Sequence, residues 1–373
     1  MPFTHAGAFG RHSAGAQRMK RRPTLLVTGG AGYIGSHVVA QLGARGERIV
    51  VLDNLSTGHA RAVLHGRLVV GDIGNQRLLR TLFREYRVET VLHFAARIVV
   101  PESVAKPLEY YDSNMVRAHT LLSECRRAGV SQFIFSSTAA VYGDAIGGRA
   151  SESSLTAPMN PYGRSKLMTE WMLGDLSAVS SMRHVILRYF NVAGCDSQGR
   201  LGQETPDATH LIKVACQHAV GLRSSLEIFG TDYPTPDGTC VRDYIHVEDL
   251  AAAHLDALDY LRAGRKSLTA NCGYGHGFSV REVINALERI HGQPLNVHES
   301  ARRAGDMASI VANSNLIRER LDWRPTRDNL DLILSSALAW ERQRQQHAAI
   351  ETRLPAHAAS GWNSSGASPW PSQ

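Results

Sequence analysis

The stretch Thr24-Leu25-Leu26-Val27-Thr28-Gly29-Gly30-Ala31-Gly32-Tyr33-Ile34-Gly35 decides how the rest of the chain reads. A short apolar run predicts a strand, glycines follow it directly, and an amphipathic stretch from Gly32 to about Ala44 predicts a helix. The glycines stand in G-x-x-G-x-x-G spacing. Gly29 permits a tight turn, Gly32 lets backbone N–H groups approach a pyrophosphate, and Gly35 lets the helix pack closely on the strand. Tyr33 and Ile34 open that helix. Ile49–Asp53 is a second apolar run ending in a carboxylate. An acid there can accept both hydroxyls of an adenosine ribose and repel a 2′-phosphate, so the pattern selects NAD over NADP. Glycine triplets alone are common in ordinary turns; the strand before this one and the acid after it give it meaning.

Outward from this unit the alternation continues. Leu68–Gly71, Thr90–Phe94, Gln132–Ser136 and Val185–Tyr189 read as strands, separated by helical patterns at Asn75–Tyr86, Ser113–Ala128 and Pro161–Ser177. Strand alternating with helix predicts a Rossmann-type, doubly wound parallel sheet, an α/β fold covered on both faces. Ligands of such sheets sit at the carboxyl ends of the strands. Gly71-Asp72-Ile73 ends the third strand, where a carboxylate could meet the adenine amino group. His93-Phe94-Ala95-Ala96 ends the fourth, with small residues suited to close passage of a ligand.

After Asn191 the pattern changes to loops rich in glycine, proline and polar residues. Helices recur at Thr209–Gly221, Val247–Ala263, Val280–His291, Ser314–Leu321 and Leu330–Gln345. The expected division is a basic, disordered arm over 1–22, an NAD-binding domain over 23–190, a smaller C-terminal α/β substrate-binding domain over 191–345, and a flexible tail over 346–373. Some later strands, such as Leu268–Cys272, are expected to return to the first sheet.

Bulk properties narrow the classes. The chain has 373 residues, 43% hydrophobic and 20% charged, which is globular composition. No apolar run is long enough for a membrane span, and the first 22 residues lack the continuous apolar stretch of a secretory signal. The net charge is +7 and the sequence pI about 9.3. Five of the basic residues, Arg11, Arg18, Lys20, Arg21 and Arg22, sit in that acid-free first segment, leaving an ordinary balance for the remainder. A nucleic-acid partner is therefore not expected. Five scattered cysteines without C-x-x-C spacing read as free thiols in a reducing cytoplasm, and no metal site is expected.

The chemistry is expected at Ser136-Ser137-Thr138, which ends the fifth strand, and at Tyr162-Gly163-Arg164-Ser165-Lys166, which opens the helix after Pro161. Tyr162 and Lys166, at i and i+4, share a helix face. A lysine charge about 5 Å away, at an effective dielectric of about 20, contributes roughly 3 kcal/mol, or about two pKa units, toward making a phenol a usable base. Thr138 can share the proton, and Lys166 can also hold a nicotinamide ribose. On its own a Y-x-x-x-K pair is more often a solvated helix face. Tyr142 is a rival phenol without a lysine at i+4, and a packing or substrate role is expected for it.

With these residues placed, the chain resembles the extended short-chain dehydrogenases/reductases, in the branch of the UDP-glucose 4-epimerases. The matching segments include TGGAGYIGSH, LDNLSTG, HFAA, FIFSSTAAVYGD, NPYGRSK, LRYFNVAG, GTDYPTPDGTCVRDYIHVEDLA and RRAGD, spread over about 24–325. The resemblance implies interconversion of UDP-galactose and UDP-glucose with retained NAD and a homodimeric enzyme. It adds Asn54, Asn114 and Tyr189 to the cofactor contacts. For a UDP-hexose substrate it implies Asn191 at the diphosphate, His210 and Leu211 in the nucleotide pocket, and Glu227, Ile228 and Phe229 beside uracil. Arg242 and Arg303 would clamp the pyrophosphate, with Tyr244 nearby and Asp306 on the uridine ribose. Thr138 stands where many relatives have serine, Ile98 where some have lysine, and Ile310 where residue size is thought to tune acceptance of N-acetylated sugars. The alternatives are 4-epimerisation of UDP-GlcNAc, UDP-xylose or a UDP-uronate, a sugar-nucleotide dehydratase, or a catalytically silent binder. Dehydration needs an acid and a base where Ala139 and Ala140 stand.

Overall fold

The computed structural model describes residues 23–351, apart from Asp207 and residues 304–305. The expected basic arm at 1–22 and most of the expected tail lie outside the described residues. The first five strands, β1 (Thr24–Thr28), β2 (Ile49–Asp53), β3 (Arg67–Val70), β4 (Val88–His93) and β5 (Gln132–Ser136), lie in one sheet. Arg183–Tyr189 and Leu268–Cys272 complete it. The spatial order is Leu268–Cys272, Arg183–Tyr189, β5, β4, β1, β2, β3, and each neighbouring pair is parallel. The order reverses between β1 and β4, which opens a crevice beyond their carboxyl ends. β1, β2 and β5 are buried throughout, as expected of strands covered on both faces. One core packs the Tyr33–Ala44 and Val247–Arg262 helices on one face; a second, with Leu79, Leu121, Phe133 and Leu173, fills the other.

Leu268–Cys272 does return to the sheet, beside Arg183–Tyr189 with Leu268 opposite Val185. The later half otherwise holds small sheets. Val241–Arg242, Phe278–Ser279, Ser309–Ala312 and Arg149–Ala150 form one; Asn191–Ala193 pairs with Tyr244–His246, and Leu226–Phe229 with Val297–Ser300. Two expectations need correcting. The segment read as one helix over Ser113–Ala128 begins with a π-turn at Asp112–Val116 before the Arg117–Ala128 helix. The last helix runs Leu330–Glu351 rather than ending at Gln345. Residues 346–351 (QHAAIE) contain no helix breaker, and the first proline beyond them is Pro355. All five cysteines are free and buried. No helix among the described residues is long and apolar enough to cross a membrane.

Candidate active site

The glycine turn has the shape its sequence implied. Gly29 adopts φ +72°, and a Cβ there would lie 2.5 Å from the Ala95 nitrogen. A Cβ on Gly35 would lie 2.2 Å from the Gly29 carbonyl oxygen, so the helix meets the strand as closely as backbone allows. Gly32 is less confined: among the described residues a Cβ there would meet the Gly29 oxygen alone, at 3.3 Å. The Tyr33–Ala44 helix has no side-chain cap at Gly32 and no acid in its first turn. Its free N–H groups therefore face open space, the arrangement that holds a phosphate. An open pocket lies here, lined by Ala31, Gly32, Tyr33, Thr57, Arg61 and Glu204 among others. Arg61 and His59, which follow β2, both pair with Glu204 from the later half, His59 Nε2 at 3.3 Å.

Asp53 is buried at the end of β2 and accepts from the N–H groups of Ala31 (2.9 Å) and Leu55 (2.8 Å), tying the strand end to the glycine turn. Leu55 sits at φ +58°, a left-handed backbone that side chains rarely take. Asn54 donates to Asp72 (3.0 Å), and Asp72 also accepts from Gly74 and Arg117. Tyr33 turns its hydroxyl to the Gly194 carbonyl at 2.6 Å and so fastens the helix start to the later half. Ile34 and Phe94 are half-buried against the first core, and Ile73 lies in the second. Ala95 and Ala96 are half-buried beyond β4. Asn114 lies in the π-turn, where such turns often accompany functional sites. It is fully engaged, bonding both backbone groups of Arg97 and the Ser165 hydroxyl. These residues fit a dinucleotide: an uncapped helix N-terminus for its phosphates and a carboxylate for its ribose.

The chemical end is built on three consecutive hydroxyl residues at the end of β5. The Ser136 carbonyl accepts from Lys166 Nζ at 2.9 Å, while its hydroxyl meets His254 Nε2 at 2.8 Å and the Tyr189 phenol. Ser137 donates to Glu170. Thr138 accepts from Ala140 N–H at 3.1 Å and hydrogen-bonds the Tyr162 phenol. The Pro161–Ala178 helix delivers Tyr162 and Lys166 to this strand end. Asn160 caps it by accepting from Gly163 N–H at 2.9 Å, and Pro161 fills a first-turn position where its missing N–H costs nothing. A Cβ on Gly163 would lie 2.5 Å from the Ala140 oxygen, so only glycine lets the helix start so close to Thr138.

The electrostatics differ from the expectation. Burial pushes Tyr162 up to about 12, against a downward pull from its Thr138 hydrogen bond. Burial likewise lowers Lys166 to about 7, with the Glu170 charge opposing it. Burial thus loosens the lysine's hold on its proton, and its Nζ is aimed at a carbonyl. In the protein alone, loss of hydration dominates at the Tyr162 phenol, and what opposes it is the Thr138 hydrogen bond rather than the Lys166 charge. His93, stacked on Phe135 and bonded to Thr28, is lowered to about 3 by burial and stays neutral.

The remaining expected residues line the later half. Asn191 pairs by its backbone with Asp243. His210 precedes the Leu211–Ala219 helix and contacts Gln203 at 3.1 Å. On Leu226–Phe229, Ile228 points into the core while Glu227 is exposed. Arg303 lies over the Phe229 ring at 3.6 Å, and Arg242 stands 3.6 Å from Asp306. Tyr244 is buried in the core. Ile310 is buried with Ala139, Tyr142 and Phe190. Tyr142 is no rival base: its hydroxyl donates to Asn271 at 2.6 Å and accepts from Arg188 at 3.0 Å. Sequence reasoning missed Glu170 and Arg188. The signal was there, because an arginine inside a run as apolar as VILRY demands a buried partner.

A seven-stranded Rossmann-type sheet with a dinucleotide turn after β1 and a Thr–Tyr–Lys cluster after β5 defines a short-chain dehydrogenase/reductase site. The family model described as NAD dependent epimerase/dehydratase family matches residues 25–273, and the chain belongs to that family. A UDP-glucose 4-epimerase of Azospirillum brasilense is 56% identical over 325 residues, covering 87% of this chain and 93% of that protein. The crystal structure of UDP-glucose 4-epimerase from Brucella ovis in complex with NAD has TM-score 0.83 and 43% identity, covering 85% of this chain and 98% of that one. The enzyme of the same name from Bifidobacterium longum, in complex with NAD⁺ and UDP, has TM-score 0.83 and 36% identity, covering 86% of this chain and 99% of that one.

Proposed function

We propose that this protein is a UDP-glucose 4-epimerase, interconverting UDP-glucose and UDP-galactose through a 4-keto sugar. The observation that carries the reading is the convergence of Thr138, Tyr162 and Lys166 on one strand end of a sheet whose first turn suits a dinucleotide. Oxidised NAD, when bound, supplies a hydride acceptor and a positively charged ring. Tyr162 takes the C4 hydroxyl proton, shared with Thr138, while Lys166 lends positive charge to the phenolate. C4 becomes a ketone, the sugar turns about its bond to the diphosphate, and Tyr162 returns the proton as C4 is reduced on its other face. There is no net oxidation, so the cofactor is retained. Residues 23–190 serve mainly the cofactor. Residues 191–345 serve the substrate: Asn191, Arg242 and Arg303 at the diphosphate, His210, Leu211, Glu227, Ile228 and Phe229 around uracil, Tyr244 beside them, and Asp306 at the ribose. Paired guanidiniums suit two phosphates.

Purified protein given UDP-glucose, UDP-galactose, UDP-GlcNAc and UDP-xylose without added cofactor is expected to interconvert the first two fastest. Retained NAD with no interconversion of any would overturn the reading, and a preference for UDP-GlcNAc would replace the substrate. A cytoplasmic homodimer completes the proposal. Its support is free buried thiols and an apolar surface on packed helices, with Leu108 79%, Trp171 59% and Val104 57% exposed. Leu108→Glu is expected to sediment as a monomer; an unchanged mass would remove that surface from the interface.

A further inference from the structure

One face of the Pro161–Ala178 helix carries Tyr162, Lys166 and then Glu170, each four residues on, and all three are buried. Glu170 is buried. Arg188, on the Arg183–Tyr189 strand, binds it bidentately, Nε at 3.0 and 3.1 Å and Nη2 at 2.5 Å, with side-chain exposures of 9% and 5%. A closed pair of this kind does not need a third partner, yet Glu170 also accepts the Ser137 hydroxyl. Ser137 lies between Ser136, whose carbonyl takes the Lys166 ammonium, and Thr138, whose hydroxyl meets Tyr162. Arg188 in turn holds Tyr142 through its hydroxyl and ring, at 3.0 and 4.9 Å. Tyr142 closes the short turn that follows Thr138.

We propose that Glu170 is a positioning residue for the reaction, holding Thr138 and Lys166 in register through Ser137 and through its own negative charge on the catalytic helix face. This rests on the reading of the site given above. The surroundings leave Glu170 as the charge that acts on Lys166. From β5 come the Phe135 ring, 4.9 Å from Nζ, and the Ser136 carbonyl; from the end of β4 comes His93, neutral through burial. Tyr162 on the same helix and Tyr189 on the neighbouring strand are neutral phenols kept high by burial. The π-turn offers the amide of Asn114 through Ser165, and the ion pairs of Arg97 with Glu102 and Arg117 with Asp72 are solvent-exposed. Glu170 is the group that opposes the dehydration of the ammonium. Arg188 supplies the buried carboxylate with its opposite charge.

The sign follows. Removing the Glu170 charge makes Lys166 lose its proton at lower pH, so the alkaline limb of turnover moves down. The test is the pH profile of kcat on UDP-glucose for NAD-retaining enzyme. Glu170→Gln, which can still accept from Ser137, is expected to shift that limb down by about one pH unit and to lower kcat at pH 8.5 by about tenfold. Glu170→Asp is expected to keep the limb of the parent. An unmoved limb in Glu170→Gln, even with lower kcat, would reduce the residue to structural support. Should Glu170→Gln lose its fold, the double variant Glu170→Gln/Arg188→Gln, which leaves no unpaired buried cation, carries the same expectation. Loss of fold in both overturns the proposal. An inactive parent would instead remove the reading of the site, which keeps the two failures distinct.

Discussion

Two of the helices that begin at the carboxyl end of this sheet have opposite first turns. The Tyr33–Ala44 helix starts at Gly32 with no capping side chain and a pocket beside it. The Pro161–Ala178 helix starts behind Asn160, which occupies a first-turn N–H, with Pro161 removing another. The first leaves its donors uncapped, so what it offers is backbone. The second satisfies its own donors, so what it presents is side chains, Tyr162 and Lys166. A helix N-terminus is thus not one kind of site; the residue at its cap decides whether it offers a dipole or a scaffold.

The comparison breaks first at Tyr162. Tyr162→Phe is expected to cut turnover by about a thousandfold or more while retaining NAD, measured as activity against the nicotinamide content of denatured protein. Loss of the cofactor together with activity would mean that the capped helix holds ligand as the bare one does. The converse change is Gly32→Asp, which supplies the missing cap. A Cβ there would press on the Gly29 oxygen at 3.3 Å, which offsets the gain from a cap, so thermal stability is expected to change little, while NAD affinity falls by about a hundredfold through competition for N–H groups and repulsion of phosphate. Full cofactor content in that variant would show that the phosphates sit elsewhere. The smallest effect is expected from Asn160→Ala: about 1 kcal/mol of stability, a few degrees of melting temperature, and NAD content unchanged. A loss of NAD there would erase the distinction.

Much of the cofactor half was readable because parallel strands covered on both faces leave unbroken apolar runs, and because a bare cap needs glycines in a set order. The later half resisted for a physical reason. Val241–Arg242, Phe278–Ser279 and Arg149–Ala150 are strands of two residues, too short to carry any period, and they are held by pairing with distant segments. The short helices Val100–Ala105 and Pro107–Tyr111 were hidden by the prolines that begin them. At the end of β5, the meeting of Thr138, Tyr162 and Lys166 was legible from spacing and strand ends. Glu170 was not, since a glutamate on a helix looks the same in sequence whether it meets water or an arginine. The protonation of Tyr162 also escaped, because charge separation can be guessed from spacing but the extent of burial cannot.

The strand Leu268–Cys272 reaches back across the later half to lie beside Arg183–Tyr189. During synthesis, everything needed for the cofactor turn emerges early, yet the sheet stays unfinished until residue 272 has left the ribosome. Until then the Arg183–Tyr189 strand, carrying Arg188, has an unpaired edge. The two halves are therefore sewn together by the order of the chain, and neither can be cut away at residue 190 without leaving the other a raw seam.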